Sequence, residues 1–108
     1  MSDNPRPMLY GARYTALLAN RASEPPVRAF TVTGKHCEEE VLVGRVDLPE
    51  PRRGDLLAVP ASGAYTLAMS SNYNGVGRPA ALLVRDGEAQ LIRRRETVDD
   101  LLALETSA

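Results

Sequence analysis

Short apolar runs, each closed by turn-forming residues, follow one another along most of this 108-residue chain. The runs are bounded by turn signals and are too short for most helices, so they predict strands. The predicted strands are Arg28–Thr33 (with Phe30 and Val32 on one face), Val41–Leu48, and residues 56–59, 80–85 and 89–93. Asp86-Gly87 between the last two is a strong hairpin signal. The pattern predicts a mainly β domain, a Greek-key-like barrel or sandwich.

Helical signals are few. Thr97 is a good N-cap with Asp99 and Asp100 in the first turn after it, so a closing helix is predicted over residues 97–105. Residues 64–71 are expected to form a short helical turn, and residues 14–20 a short β or mixed stretch. Pro5 and Pro7 predict an extended or turned start. The expected organisation is a single domain over residues 1–108, with an entry segment (1–13), a β domain (14–96) and the closing helix.

Composition excludes several classes of function. The formal net charge of −1 gives no field that favours nucleic acid or an anionic membrane. No apolar run approaches the roughly 20 residues of a membrane span. The single cysteine cannot form a disulfide within the chain, which fits a reducing compartment. With no recognisable signal peptide, we expect a cytoplasmic protein.

Ionisable chemistry is concentrated around that cysteine, in Gly34-Lys35-His36-Cys37-Glu38-Glu39-Glu40. A lone cysteine is most often a small buried hydrophobe, but Cys37 follows a strand among polar neighbours. A thiol with a reference pKa of about 8.5 can donate a proton near neutral pH, and nearby carboxylates oppose thiolate formation. Glu38 would suit an ammonium group if it faces a cleft. His36 has no second histidine or cysteine to complete a metal site, so none is predicted.

Three further residues have both an ordinary and a functional interpretation. Arg6 and Tyr10 are a surface arginine and a packing tyrosine, or else a guanidinium fork for a carboxylate with a supporting phenol. Tyr65 is equally ambiguous, because its phenol suits a phosphate or a carboxylate. From residue types and spacing alone, the chain is a small β domain with a candidate acid–base cluster.

Four blocks in order carry a more specific signal. They are Ser2-Asp3-Asn4-Pro5-Arg6-Pro7-Met8-Leu9-Tyr10; Gly34-Lys35-His36-Cys37-Glu38; Gly54-Asp55-Leu56 with Gly63-Ala64-Tyr65, Ser71-Asn72-Tyr73-Asn74 and Arg78-Pro79; and Arg94-Arg95-Glu96-Thr97 with Asp100-Leu101-Leu102. Together they closely resemble the C-terminal part of diaminopimelate decarboxylases. These belong to the ornithine, diaminopimelate and arginine decarboxylase family, whose fold is like that of alanine racemase. They use pyridoxal 5′-phosphate (PLP) to make L-lysine from meso-diaminopimelate.

The resemblance implies roles for five residues. Arg6 and Tyr10 would bind a substrate carboxylate, and Glu38 the distal amino group. Cys37 would be the proton donor to the carbon that loses CO2, and Tyr65 would lie against PLP and substrate. The family works as a homodimer in which the cysteine loop completes the partner's site.

The resemblance also implies what this chain lacks. The family's N-terminal (β/α)8 barrel, with the lysine that binds PLP, is absent from it. A small-molecule amino-acid substrate is expected for the parent enzyme, and the isolated chain is expected to be inactive.

Two departures from the family pattern keep alternatives open. The segment after Cys37 is one residue short and lacks a glycine, and Thr66-Leu67-Ala68-Met69 replaces a more usual Gly-Tyr-Ser-Met. These departures keep open a related ornithine, arginine or carboxynorspermidine decarboxylase domain. The absence of the barrel from this chain keeps open a stand-alone β assembly module without catalysis.

Overall fold

The computed structural model describes residues 4–34 and 41–106. Its elements are α1 (Arg6–Tyr10), β1 (Leu17–Leu18), β2 (Arg28–Thr33), β3 (Val41–Leu48), β4 (Leu57–Ala58), α2 (Gly63–Met69), β5 (Ala81–Arg85), β6 (Glu88–Arg93) and α3 (Val98–Leu102), with 3₁₀ turns at Ala19–Arg21 and Tyr73–Gly75. The strands form three antiparallel pairs: β1 with β4, β2 with β3, and β5 with β6.

The mainly β prediction with a short C-terminal helix is confirmed, but the described strands do not close into a barrel. Each described strand has only one hydrogen-bonded neighbour, whereas barrel closure needs two for every strand. The pair β1–β4 is two residues long in each strand. The three pairs therefore depend on contacts between side chains and loops rather than on one continuous ladder.

The core lies along β3. Val43, Val46 and Leu48 are buried together with Ala16, and the predicted face of Phe30 and Val32 packs against them. A strict alternation would put Val43 and Val46 on opposite faces. The β2–β3 register avoids this, because Phe30 pairs with Val46 and Val32 with Val43, which leaves an extra residue on β3. This bulge returns both valines to the core.

The predicted β5–β6 hairpin is confirmed. Asp86 (φ 52°) and Gly87 (φ 80°) both have positive φ, as a type I′ turn requires, and asparagine, aspartate and glycine are the residues that tolerate it best. The hairpin is apolar and exposed. Its large apolar side chains with more than half of their surface exposed are Leu82, Leu83, Val84, Leu91 and Ile92.

The N-terminal segment differs from the prediction. Residues 5–7 were expected to be extended or turned, yet α1 begins at Arg6 directly after Pro5. Both prolines lie at the start of the helix, where their missing N–H groups have no intrahelical acceptor to lose. Gly11 (φ 63°) ends the helix in the left-handed conformation, and its N–H donates to the carbonyl of Pro7 at 3.0 Å.

The C-terminal helix begins as predicted. Thr97 is the N-cap, and the backbone N–H of Asp100 donates to its hydroxyl, while the Asp100 carboxylate accepts from the backbone N–H of Thr97 at 2.8 Å. The helix ends at Leu102 rather than near residue 105. No helix in the described ranges is long and apolar enough to cross a membrane.

A polar cluster centred on Asp55 fixes the start of β4. The carboxylate of Asp55 accepts from Arg21 Nη1 and from the backbone N–H of Arg52, each at 2.8 Å, and from Asn20 Nδ2 at 3.1 Å. These donors hold the pKa of Asp55 below its ordinary value, the Arg52 N–H having the largest effect. The 3₁₀ turn after β1 is thereby tied to the loop that leads into β4 and α2.

The core assignment predicts the effect of two leucine substitutions. Leu48→Ala removes a side chain that is 3% exposed, so it should lower the free energy of unfolding by about 2–5 kcal/mol. Leu104→Ala changes a side chain that is 94% exposed, so its effect should stay within about 0.5 kcal/mol. Urea unfolding followed by circular dichroism measures both. Equal losses would contradict a core centred on β3.

Candidate functional site

Two of the predicted site residues are in contact. The guanidinium carbon of Arg6, in α1, lies 4.5 Å from the ring centroid of Tyr65, in α2. This is the geometry of a cation–π interaction, in which the guanidinium lies over the face of the Tyr65 ring. Tyr65 is 56% exposed, so its phenol is accessible. The structure therefore joins an arginine fork and a phenol at one surface.

Tyr14 holds the other side of this arginine. Its hydroxyl oxygen accepts a hydrogen bond from Arg6 Nη1 at 3.0 Å, and its ring packs against the core residues of β3. The arginine is thus connected to the most rigid part of the chain. Sequence reasoning missed Tyr14, because nothing in the local pattern distinguishes a tyrosine that buries its ring from one that also orients a charge.

The other predicted site residues are not part of this contact. Tyr10 is four residues after Arg6 in α1 and therefore lies on the same side of the helix, but it is 69% exposed. Among the described residues, no hydrogen bond or ring contact joins it to Arg6 or Tyr65. Cys37 and Glu38 lie outside the described residues.

A cluster centred on Glu96 supports α2. Its carboxylate accepts from Asn72 Nδ2 at 2.7 Å, from the backbone N–H of Arg78 at 2.9 Å and from Arg93 Nη2 at 2.9 Å. Arg78 Nη1 donates to the same carboxylate at 3.2 Å. These donors, above all the Arg78 N–H and the Asn72 amide, lower the pKa of Glu96 to about 2.

The Glu96 cluster also explains one glycine. A Cβ on Gly77 would lie 2.6 Å from the backbone oxygen of Glu96, closer than real Cβ atoms approach. Only glycine lets the loop before Arg78 lie this close to the segment that follows β6. Two of the blocks noted in the sequence, 71–79 and 94–97, are therefore in direct contact.

An open cleft in the described part of the chain is a separate feature. It measures about 520 Å³, is open, and lies between α1 and β3, where Arg13, Tyr14 and Arg45 are among its lining residues. Neither Arg6 nor Tyr65 lines it. We place the candidate site at the Arg6–Tyr65 contact, because that contact joins two predicted site residues and Tyr14 holds the arginine in place.

The residues present fit one edge of a PLP site. An accessible phenol suits a phosphate or a carboxylate, and so does a guanidinium that, in the described part of the chain, is hydrogen-bonded through Nη1 alone. Covalent attachment of PLP needs a lysine, and the single lysine of the sequence, Lys35, lies outside the described residues. In the described part of the chain, no group of three histidine, cysteine, aspartate or glutamate side chains is placed to hold a metal ion.

Comparison with known proteins decides the family. Residues 1–63, more than half of the chain, match the model of the pyridoxal-dependent decarboxylase C-terminal sheet domain. The chain belongs to this family. The resemblance found in the four sequence blocks is therefore confirmed, and the family description itself calls these decarboxylases pyridoxal-dependent, which implies PLP in the parent enzyme.

Individual relatives agree with this assignment. Diaminopimelate decarboxylase of Actinosynnema pretiosum subsp. auranticum is 56% identical over 108 residues, covering 97% of this chain and 24% of the relative. The enzyme of the same name from Synechocystis is 52% identical over 103 residues, covering 94% of this chain and 22% of the relative. The chain thus spans about a quarter of the length of these relatives.

The fold agrees as well. The crystal structure of diaminopimelate decarboxylase from M. jannaschii in complex with L-lysine superposes with a TM-score of 0.83 at 33% sequence identity. The superposition covers all of this chain and 25% of that one. The three strand pairs and short helices are therefore the architecture of the sheet domain in this family.

The Glu96 cluster predicts a pH dependence. A carboxylate whose pKa is lowered from 4.5 to about 2 by folding contributes stability that is fully present above pH 4.5 and is lost as the pH falls towards 2. The melting temperature of Glu96→Gln should therefore fall less over this interval than that of the wild type. Thermal melts followed by circular dichroism at several pH values measure the difference.

Glu88→Gln is the matched control for this experiment. The Glu88 side chain is exposed in β6 and makes no hydrogen bond or ion pair within residues 4–34 and 41–106. Its substitution should leave the acid dependence close to that of the wild type. If the melting temperature of Glu96→Gln also fell with pH as steeply as that of the wild type, the Glu96 carboxylate would not be held as described.

Proposed function

We propose that this chain is the C-terminal domain of a diaminopimelate decarboxylase, a PLP-dependent enzyme that converts meso-diaminopimelate to L-lysine and CO2. The observation that carries the proposal is the Arg6–Tyr65 contact on a domain of this family. Names of the relatives support the substrate, and the bound L-lysine named for the M. jannaschii enzyme supports the product. The chain alone is inactive in this proposal, because catalysis also needs the lysine that binds PLP.

Arg6 binds a carboxylate of the substrate. A guanidinium offers five N–H donors in a plane, and within residues 4–34 and 41–106 only Nη1 is engaged, with Tyr14. The remaining edge can form two parallel hydrogen bonds to a carboxylate, which orients it as well as attracting it. Tyr10 supports that carboxylate, and the Tyr65 phenol contacts PLP and substrate.

Cys37 and Glu38 complete the site of the partner in a homodimer. When CO2 leaves, the electron pair of the broken bond stays on the substrate carbon, and Cys37 donates the proton that restores a C–H bond. Glu38 accepts a hydrogen bond from the distal ammonium group of the substrate. PLP, when bound, supplies the electron sink that makes loss of CO2 feasible.

The rest of the parent enzyme is also part of the proposal. An N-terminal (β/α)8 barrel carries the PLP lysine, and the assembly works in the cytoplasm. The described domain contributes carboxylate recognition and the support of Tyr65, whereas the barrel holds most of the cofactor.

A first prediction concerns Arg6 in the full-length enzyme. Arg6→Gln should raise the KM for meso-diaminopimelate about 10- to 100-fold, because a charge-assisted hydrogen bond to the substrate is lost. Arg13→Gln is the control, since Arg13 is exposed and makes no hydrogen bond or ion pair in the described part of the chain. Steady-state assays of lysine formation give both values. An unchanged KM in Arg6→Gln would end the carboxylate assignment.

A second prediction concerns the proton donor. Cys37→Ala should lower kcat for lysine formation about 10²- to 10⁴-fold, the usual contribution of a positioned acid. The KM should change far less, because the thiol acts on the reacting carbon and does not bind the substrate. A kcat near the wild-type value would remove Cys37 from the mechanism.

The substrate class is tested separately. The full-length enzyme should decarboxylate meso-diaminopimelate in preference to ornithine, arginine and carboxynorspermidine, since only the first has a second α-amino carboxylate for recognition. A preference for one of the other three substrates would leave the family assignment unchanged and would show that the proposed substrate is wrong. Absence of turnover with all four by a folded, PLP-loaded parent would favour an assembly module.

A further inference from the structure

The helix that carries Tyr65 has little intrinsic support. α2 is seven residues long, none of them buried, and its N-cap Ser62 makes no capping hydrogen bond to the helix. The Ser62 hydroxyl donates instead to the backbone oxygen of Val59 at 2.9 Å. Isolated helices this short are unstable in water, so α2 needs an anchor outside itself.

That anchor lies at its C-terminal end. Ser70, which follows α2, is 7% exposed, and its hydroxyl donates to the backbone oxygen of Leu67 at 2.7 Å. The backbone oxygen of Ser70 accepts from Arg78 Nε at 3.2 Å. Arg78, eight residues further along the connection from α2 to β5, therefore reaches back to the residue at which α2 stops.

Arg78 is itself fixed on several sides. Its Nη1 donates to Asn72 Oδ1 at 2.5 Å and to Glu96 Oε1 at 3.2 Å. Its backbone N–H donates to Glu96 Oε2 at 2.9 Å, and its backbone oxygen accepts from the Glu96 N–H at 3.1 Å. A guanidinium with this many fixed contacts has little freedom, so the atom that it presents to Ser70 is well defined.

We infer that Arg78, held by Glu96, is a positioning residue that fixes the C-terminal end of α2 and thereby sets the Tyr65 ring against Arg6. The link runs from Glu96 to Arg78, to the Ser70 carbonyl, and along one helix to Tyr65. Its importance for the reaction rests on the function proposed above, whereas the link itself does not. Arg78 touches neither Arg6 nor Tyr65 and acts only through α2.

A substitution at position 78 can separate the effect of its positive charge from the effect of its two simultaneous hydrogen bonds, to Ser70 and to Glu96. A lysine at position 78 keeps a positive charge near Glu96, but a single ammonium group cannot reproduce the planar fork that bonds Ser70 with Nε and Glu96 with Nη1. Arg78→Lys should therefore leave the Glu96 ion pair largely in place and release α2. Arg95→Lys is the matched control, because Arg95 is exposed and its side chain makes no hydrogen bond or ion pair within the described ranges.

The first measurement uses NMR on the 108-residue chain. Stacking on Tyr65 shifts the side-chain protons of Arg6 upfield, and Tyr65→Leu gives the reference without the ring. Arg78→Lys should lose most of this upfield shift, and Arg95→Lys should keep it. Retention of the full shift in Arg78→Lys, with a cooperative melt, would overturn the inference.

Glu96→Gln provides the second variant if Arg78→Lys does not fold. The amide oxygen of glutamine still accepts from the Arg78 N–H but attracts the guanidinium less strongly, so the Arg6 shift should be reduced rather than lost. A folded Glu96→Gln chain with an unchanged Arg6 shift would contradict the link just as directly.

Kinetics of the full-length enzyme then separate this inference from the proposed function. If both hold, Arg78→Lys raises the KM about three- to tenfold through the loss of the Arg6–Tyr65 contact, while Arg95→Lys stays within about twofold. A lost NMR shift with an unchanged KM would support the link and count against Arg6 as the carboxylate site. An unchanged shift with a raised KM in Arg78→Lys would reject the link and leave the proposed function standing.

Discussion

Three carboxylates hold the loops of this domain together, because each accepts hydrogen bonds from an arginine side chain and from a backbone N–H. Asp55 combines Arg21 with the N–H of Arg52, Glu96 combines Arg78 and Arg93 with the N–H of Arg78, and Asp100 combines Arg94 with the N–H of Thr97. For each carboxylate these donors lower the pKa. The buried apolar core of the described chain is small and lies mainly along β3. The loops beyond it therefore depend on polar contacts, which are directional and fix geometry more sharply than apolar burial does.

The parts of this fold that could be predicted are those that short sequence windows encode. The Asp86-Gly87 turn and the Thr97 cap depend on residues within a few positions of each other, and both have the predicted geometry. The prediction of an extended N-terminal segment was wrong, because Pro5 and Pro7 were expected to oppose a helix and instead lie at its start. The bulge in β3 shows only as a spacing of three between Val43 and Val46, and that spacing gains its meaning from pairing with β2.

The candidate site was harder to predict, because its contacts join distant parts of the chain. The sequence blocks suggested that Arg6 and Tyr65 serve one site, but no periodicity shows that α1 and α2 meet. Tyr14 and Glu96 were missed for the same reason. A half-buried tyrosine and a glutamate in a basic run have ordinary explanations until their acceptors and donors are known. Cys37 and Glu38, the chemically richest part of the sequence, lie outside the described residues, so their roles stay predictions.

Arg6 illustrates how one side chain can serve the fold and the site together. The guanidinium lies over the Tyr65 ring and one of its N–H groups donates to Tyr14, so aromatic residues from different parts of the chain hold it on two sides. The remaining N–H edge is then presented in a defined direction, which is what recognition of a planar carboxylate needs. A lysine could pair with a carboxylate but could not stack with one surface and bond with its edge in the same way. The Glu96 cluster and Tyr14 therefore act on the same contact from opposite sides. The Glu96 cluster positions the Tyr65 ring, and Tyr14 positions the Arg6 guanidinium that lies over it.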